Sequence, residues 1–432
     1  MKSPNKALEE PRVYPFSEHQ IDEELIDPDA LYVVGRLREA GYSAYIVGGS
    51  VRDLLLKKTP KDFDISTAAK PEDIKRLFGR SCLLIGRRFR LAHIRFGHKV
   101  IEVSTFRSGE NEGDLIVQDN KWGSEVEDVL RRDFTINGLF YDPQKKEVID
   151  YVGGWEDIHA NLLKTIGDPV VRFRQDPVRM IRLLKFQARL KFEVHTQSKA
   201  ALNKCLDEII KSAPARILEE IFRMLESGSS TQFFKLMAES GLLELLFPSL
   251  THFLNGPHGS DVLHFLEKAD QFNKKDLKRP LDRAVLSSCL IFPILEREIG
   301  TQFLSKNYSP HIGEIMHLTD VLIDAVVISS FSHFPRRMSA TVAFILSTQY
   351  RMTPFSGKRH HRPKLMQNKE FTLAMQFFRL RSQVNPQLDE AYCSWRNAYH
   401  QMEQAGEHRH HAAHPHPRRQ HSHGPRHADA AK

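Results

Sequence analysis

Gly48 and Gly49 follow the apolar run 45–47 and lead into Ser50-Val51-Arg52-Asp53, and Asp62 and Asp64 come shortly after with Phe63 between them. A strand ending in two glycines lets backbone approach an anion without interference from a Cβ, and a helix starting there turns its free N–H groups toward it. Arg52 adds a guanidinium to such a site. Two aspartates two residues apart on a strand point to one face, while Phe63 points to the core. Side by side they repel unless a divalent cation sits between them, and carboxylates together with phosphate oxygens are the ligands Mg²⁺ takes. Asp-x-Asp alone is more often a solvent-facing strand or turn; the glycine turn upstream shifts the balance toward a metal site.

Three further segments carry polar groups in apolar surroundings. Glu102, in Ile101-Glu102-Val103, is either the third carboxylate of a cradle for two metals or the polar half of an alternating strand. Arg131-Arg132-Asp133-Phe134-Thr135-Ile136-Asn137 reads as charges leading into an amphipathic helix. There Arg132 is a candidate for triphosphate, and Asp133 for a ribose hydroxyl or a metal, or else for an N-cap. Asp176-Pro177-Val178-Arg179 is either a helix N-cap with proline in the first turn or a reader of bases. Asp176, Arg179 and Arg182 share a helix face, so a carboxylate can accept from an exocyclic amine while a guanidinium donates to the neighbouring ring nitrogen. Adenine and cytosine present that pair of groups, and guanine and uracil the reverse.

The elements that must hold these residues change character along the chain. A helix begins after Asp27, with Pro28 in its first turn and Gly41 as its stop. From about 45 to 152, short β-rich runs (45–47, 63–65, 92–94, 100–106) alternate with helix-like stretches such as Pro71–Phe78. Beyond Trp155 helical periodicities dominate: Val178–Leu190, Pro214–Leu225, 231–246, 261–271 and more, to about Met402. Gly256-Pro257-His258-Gly259 punctuates that region. The fold class expected is α+β: a small mixed-sheet head followed by an extended all-helical neck and body. The expected divisions are an N-terminal extension over 1–27, a head over 28–152, a neck over 153–255, a body over 256–405 and a disordered His/Arg-rich tail over 406–432.

The chain has 432 residues, 41% hydrophobic and 27% charged, which is enough for several domains and excludes a disordered chain. Its formal net charge of +8 suits a polyanionic partner without demanding one. Cys82, Cys205, Cys289 and Cys393 show no paired spacing, so neither a zinc ribbon nor a disulfide framework is expected. The longest apolar run, 284–295, is too short for a bilayer, and a cytoplasmic location with no membrane partner is expected.

Together the blocks at Gly48 to Asp53, Asp62-Phe63-Asp64, Arg131 to Asn137 and Asp176 to Arg179 resemble the poly(A) polymerase and CCA-adding enzyme family, class II of the polymerase-β nucleotidyltransferase superfamily. The resemblance implies a nucleotidyltransferase head and a template-independent transfer of AMP from ATP to RNA 3′ ends, with Mg²⁺, or Mn²⁺ in its place. It puts triphosphate binding on Gly48, Gly49 and Arg52, the metals on Asp62 and Asp64, the catalytic and ribose site on Arg132 and Asp133, and base reading on Asp176 and Arg179. Where the family usually has Glu before that last aspartate, this chain has Gln175.

The segment 84–94 resembles one that marks bacterial poly(A) polymerases, and Pro335-Arg336-Arg337-Met338 with Gly357-Lys358-Arg359 loosely resembles their RNA-binding region. That favours polyadenylation over the alternative, CCA addition to tRNA. A further alternative is an RNA-binding protein whose head has lost activity, against which the intact Asp62 and Asp64 argue.

Overall fold

A computed structural model describes residues 10–86, 91–108, 121–277, 279–328, 334–355 and 362–412, with the backbone alone for 362 and 405–412. Residues 87–90 and 357–361, which carry part of the basic segments noted above, and the tail beyond 412 lie outside the described residues.

The head is an eight-stranded mixed sheet. In chain order its strands are β1 Arg12–Pro15, β2 Ala44–Val47, β3 Asp64–Thr67, β4 Cys82–Ile85, β5 Leu91–Phe96, β6 Lys99–Thr105, β7 Leu139–Asp142 and β8 Glu147–Asp150. Their spatial order is β1-β8-β7-β2-β3-β6-β5-β4, and only β3 and β6 run parallel. Placing β2 beside β3 sets the glycine turn that ends one next to the aspartates that open the other: Val47 pairs with Asp64. Ile46, Ile65 and Val103 form the buried rows beneath.

Two expectations are corrected here. The N-terminal extension is part of the head, because Arg12–Pro15 adds an edge strand antiparallel to β8. The segment after Asp133 is not a helix: a single 3-10 turn, Thr135–Asn137, leads straight into β7. Phe134, Ile136, Leu139, Phe140 and Tyr141 are buried on both sides of the chain, which suits a central strand and leaves no polar face for a surface helix.

Helices follow the head. Asp168 caps Pro169–Gln175 by accepting from the N–H groups of Val170 and Val171. After a break at Asp176 and Pro177, the helix Val178–Leu190 buries Met180, Ile181 and Leu184 and packs on Pro214–Leu225 and Ser230–Ser240. The single helix expected over 231–246 is two, Ser230–Ser240 and Leu242–Leu246, broken at Gly241 with φ +82°. In the body, Gly259–Asn273 and Phe371–Val384 pack against Arg283–Gln302. The apolar run 284–295 is buried all round within the helix Arg283–Gln302, and no helix among the described residues is long and apolar enough to cross a membrane. The final helix, Asp389–Ala412, continues past the expected start of the tail at 406.

Candidate active site

Gly48 sits at φ 73° and ψ −125°, a conformation glycine tolerates and other residues do not, and a Cβ there would meet Arg132 Nη1 at 3.0 Å. The turn brings the start of the helix Gly49–Leu55 to one wall of a cavity of about 430 Å³. Asp62 and Asp64 line the same cavity, both solvent-exposed, while Phe63 between them is buried, so the alternation read from sequence holds even though Asp62 lies just before the strand. Arg132, Asp133, Asp176 and Arg179 line it too. Head and neck therefore each supply part of one cleft.

Arg52 is buried and fully engaged. It donates to Asn137 Oδ1 at 2.6 Å and from Nε and Nη2 to Asp53 Oδ1 at 2.9 and 2.7 Å, with its guanidinium carbon 5.1 Å from the centre of the Phe186 ring. Asn137 in turn donates to Asp133 Oδ1 at 3.0 Å, and the Phe134 N–H to the same oxygen at 2.8 Å. Arg182 Nη2 lies 2.7 Å from Asp133 Oδ2. Burial alone would raise the Asp133 carboxyl, but Arg182, those two hydrogen bonds and Arg179 outweigh it and hold it down at about 2. Asp133 is thus an anchor between the Arg52–Asn137 pair and the neck helix.

The base-reading candidates are held differently. Asp176 does not cap Val178–Leu190; its Oδ2 accepts from Arg216 at 3.0 Å, and its Oδ1 is buried without a hydrogen-bond partner. The capping alternative is therefore excluded. Arg179 donates to the carbonyls of Arg172 at 3.2 Å and Arg131 at 3.1 Å. Arg172 donates to the carbonyls of Arg131 and Arg132 at 2.6 and 2.7 Å and to Gln175 Oε1 at 3.2 Å. Gln175 thus supports Arg172, whose own carbonyl accepts from Arg179. Burial lowers the affinity of both guanidiniums for their proton.

Glu102 pairs in register with Asp64 across β3 and β6, and its Oε1 lies 3.4 Å from His93 Nε2. It is outside the cavity lining, and among the described residues no three acidic, His or Cys side chains converge closely enough to hold a metal, so the cradle of three carboxylates is not gathered. Asp64 nonetheless feels its neighbours: surrounding protein, then Glu102, with Asp62 adding to it, push its carboxyl up to about 6, against the pull of Arg132. Crowded, partly desolvated carboxylate oxygens of this kind are a donor set that fits a hard divalent cation.

Sequence reading missed Lys61, Lys185, Phe186, Arg189 and Arg223, all of which line the cleft. The face that carries Asp176, Arg179 and Arg182 continues at helical spacing through Lys185, Phe186 and Arg189, so extending that period would have found three of them. Lys185 is pushed down to about 8 by burial, with Glu220 as its partner. Arg223 comes from a separate helix, and no local pattern announces it.

Residues 44–164 match the family described as the poly A polymerase head domain, 191–254 that of the probable RNA and SrmB-binding site of polymerase A, and 324–430 the polymerase A arginine-rich C-terminus. A poly(A) polymerase I of Salmonella typhi is 36% identical over 86% of this chain and 82% of its own length. The Haemophilus influenzae protein of that name is 41% identical over 57% of this chain and 55% of its own. A CCA-adding enzyme of Lactobacillus helveticus is 36% identical over 50% of this chain and 54% of its own. Among solved structures, an apo CCA-adding enzyme superposes with a TM-score of 0.56 at 18% identity over 91% of this chain and 86% of its own, a likeness of fold.

Proposed function

The chain belongs to the poly(A) polymerase family and is a polynucleotide adenylyltransferase, and from that premise we propose how its cleft works. It adds AMP from ATP to RNA 3′ ends without a template. The Salmonella typhi poly(A) polymerase I aligns over 392 residues, whereas the Lactobacillus helveticus CCA-adding enzyme aligns over 217, and that difference favours polyadenylation over CCA addition.

In the proposed reaction an RNA 3′-hydroxyl attacks the α-phosphate of ATP; the new oxygen–phosphorus bond forms as the bond to pyrophosphate breaks. Gly48, Gly49 and the N–H groups opening the helix Gly49–Leu55 cradle the triphosphate. Arg132, 3.1 Å from Ser66 Oγ and 2.9 Å from Asp128 Oδ2, supplies a positioned cation. Asp62 and Asp64 would hold Mg²⁺ or Mn²⁺, with Glu102 behind them. When bound, such an ion polarises phosphate oxygens and lowers the pKa of the attacking hydroxyl. Asp133 keeps Arg182 and Asn137 in place, and Asp176 Oδ1 with Arg179 selects the base. A reaction that consumes ATP and RNA argues for the cytoplasm.

One observation carries this reading: the glycine turn, the paired aspartates and the Asp176–Arg179 pair, which are far apart in sequence, line one cavity. The test is extension of an end-labelled, unstructured RNA with each of the four nucleoside triphosphates in Mg²⁺. Long ladders with ATP alone are expected, and Asp64→Asn should lose them while still binding RNA. Addition of only a few nucleotides that requires CTP and a tRNA-like end would move the assignment to CCA addition, and RNA binding without any product to a non-catalytic role.

A further inference from the structure

Asp128, in the helix Glu125–Leu130, is 5% exposed and does not itself line the cleft. Taking a carboxylate out of water is costly unless its oxygens find donors, and here they do. Oδ2 accepts from Arg132 Nη2 at 2.9 Å and from Ser66 Oγ at 3.4 Å, and Oδ1 accepts from the backbone N–H of Arg107 at 3.4 Å. A fully exposed Asp–Arg pair at this i, i+4 spacing would contribute little. This one joins a buried carboxylate to a guanidinium that lines the cleft.

The contact decides which part of the Arg132 guanidinium is left for a ligand. Nη2 is committed, because besides Asp128 it donates to Ser66 Oγ at 3.1 Å. The guanidinium carbon lies 5.4 Å from the centre of the Phe140 ring, which covers one face. Nη1 is the terminal nitrogen left over: no hydrogen bond engages it among the described residues, and it lies 3.0 Å from where a Cβ on Gly48 would stand. Ser66 ties this arrangement to the strand of the aspartates. It stands on β3 two residues past Asp64 and so on the same face, and it pairs in register with Ser104 on β6, whose Oγ is 3.1 Å from its own.

We propose that Asp128 is a positioning residue for triphosphate binding: it holds Nη2 of Arg132 so that Nη1 is presented to phosphates at the glycine turn, while Ser66 keeps that guanidinium in step with the strand of Asp64. A cation held in place before the ligand arrives costs little reorganisation when the ligand binds. Without Asp128, Arg132 keeps its charge and loses its aim. The inference rests on the adenylyltransferase reading for the identity of the phosphate ligand, but the binding of that ligand can be measured without catalysis.

The test compares full-length wild type with Asp128→Asn, Ser66→Ala, Arg132→Ala and the double variant Arg132→Ala/Asp128→Asn. The control is Asp73→Asn, which removes a helix-surface pair with Arg76 elsewhere in the head. Calorimetry without RNA measures binding of ATP, tripolyphosphate and adenosine, and extension of a labelled RNA gives kcat and KM separately. Asp128→Asn should bind ATP and tripolyphosphate about tenfold more weakly, the worth of one charge-assisted hydrogen bond, and adenosine as tightly as wild type. Its KM for ATP should rise by a like factor and its KM for RNA should not change. Ser66→Ala should show a smaller loss with the same pattern, and Asp73→Asn none. On top of Arg132→Ala, Asp128→Asn should add no further loss, because it acts through that arginine. Losses that add in the double variant, equal weakening of adenosine and tripolyphosphate, or wild-type binding by Asp128→Asn would overturn the inference. If Asp128→Asn does not fold, Ser66→Ala, which strips the other acceptor from Nη2, decides by the same contrast between tripolyphosphate and adenosine. A wild type whose variants show this pattern in binding but which extends no RNA would leave the role of Asp128 standing and remove the catalytic reading instead.

Discussion

Arg179 Nη2 donates to the carbonyl oxygen of Arg131 at 3.1 Å, so the guanidinium assigned to base reading is fixed to the loop that also carries Arg132 and Asp133. Its fork, not its charge alone, matters: both terminal nitrogens are committed to carbonyls, which aims what remains of the side chain. Arg179→Lys keeps the charge and loses the fork. It should lower discrimination between ATP and the other nucleotides by roughly 10–100-fold in kcat/KM, with a smaller effect on folding. Rates for all four nucleotides measure this, and unchanged selectivity would remove Arg179 from base reading.

Gly48→Ala tests the phosphate turn. The added methyl must enter a backbone region open to glycine and press on Arg132 Nη1 at 3.0 Å. A loss of about 1–3 kcal/mol in stability is expected, with a higher KM for ATP because Arg132 and the N–H groups of the turn move together. Urea unfolding and ATP titration separate the two effects. A raised KM with unchanged stability would mean that the turn relaxes to accept the methyl and acts only through its phosphate contacts.

The sequence showed the head better than its edges. The glycine turn and Asp-x-Asp were legible because a strand's period and a tight turn are local, and Phe63 lands in the core as that period requires. The Asp176–Arg179 face was legible for the same reason on a helix. What was missed is non-local. Arg12–Pro15 becomes a strand only because β8 offers it an edge, and Arg223 enters the cleft only through packing of Pro214–Leu225 on the neck helix. The residues after Asp133 misled because their charges precede an apolar stretch of ambiguous period, which burial on both sides resolves as strand. The role of Asp133 as an anchor for Arg182 depends on a partner some fifty positions away and has no local signature.

Glu220 accepts from Lys185 in the cleft wall, and both are buried. Removing one partner strands the other's charge, which is costlier than losing the pair. Glu220→Ala should therefore cost roughly 3–5 kcal/mol at neutral pH, and Lys185→Met/Glu220→Leu should recover most of it. Chemical denaturation of the two variants decides this. If the double variant is no more stable than the single, the residues contribute by packing and the ion pair is incidental.

Asp133 sets a pH dependence whose sign follows from its held-down carboxyl. Unfolded, it titrates near 3.8; folded, at about 2. A depressed acid contributes its stability above the unfolded value and loses it as pH falls through the folded one, so the window runs from about 4 down to about 2. The shift corresponds to about 2 kcal/mol. Asp133→Asn removes the charge and its pull on Arg182, so it should be less stable than wild type by about that amount at pH 7, with the gap narrowing once the pH drops below about 4. Urea midpoints measured from about pH 3 to pH 7 follow the gap directly. A gap of constant size would show that Asp133 holds Arg182 and Asn137 by hydrogen-bond geometry alone, and a gap that widens toward acid would contradict the assignment of a depressed carboxyl altogether.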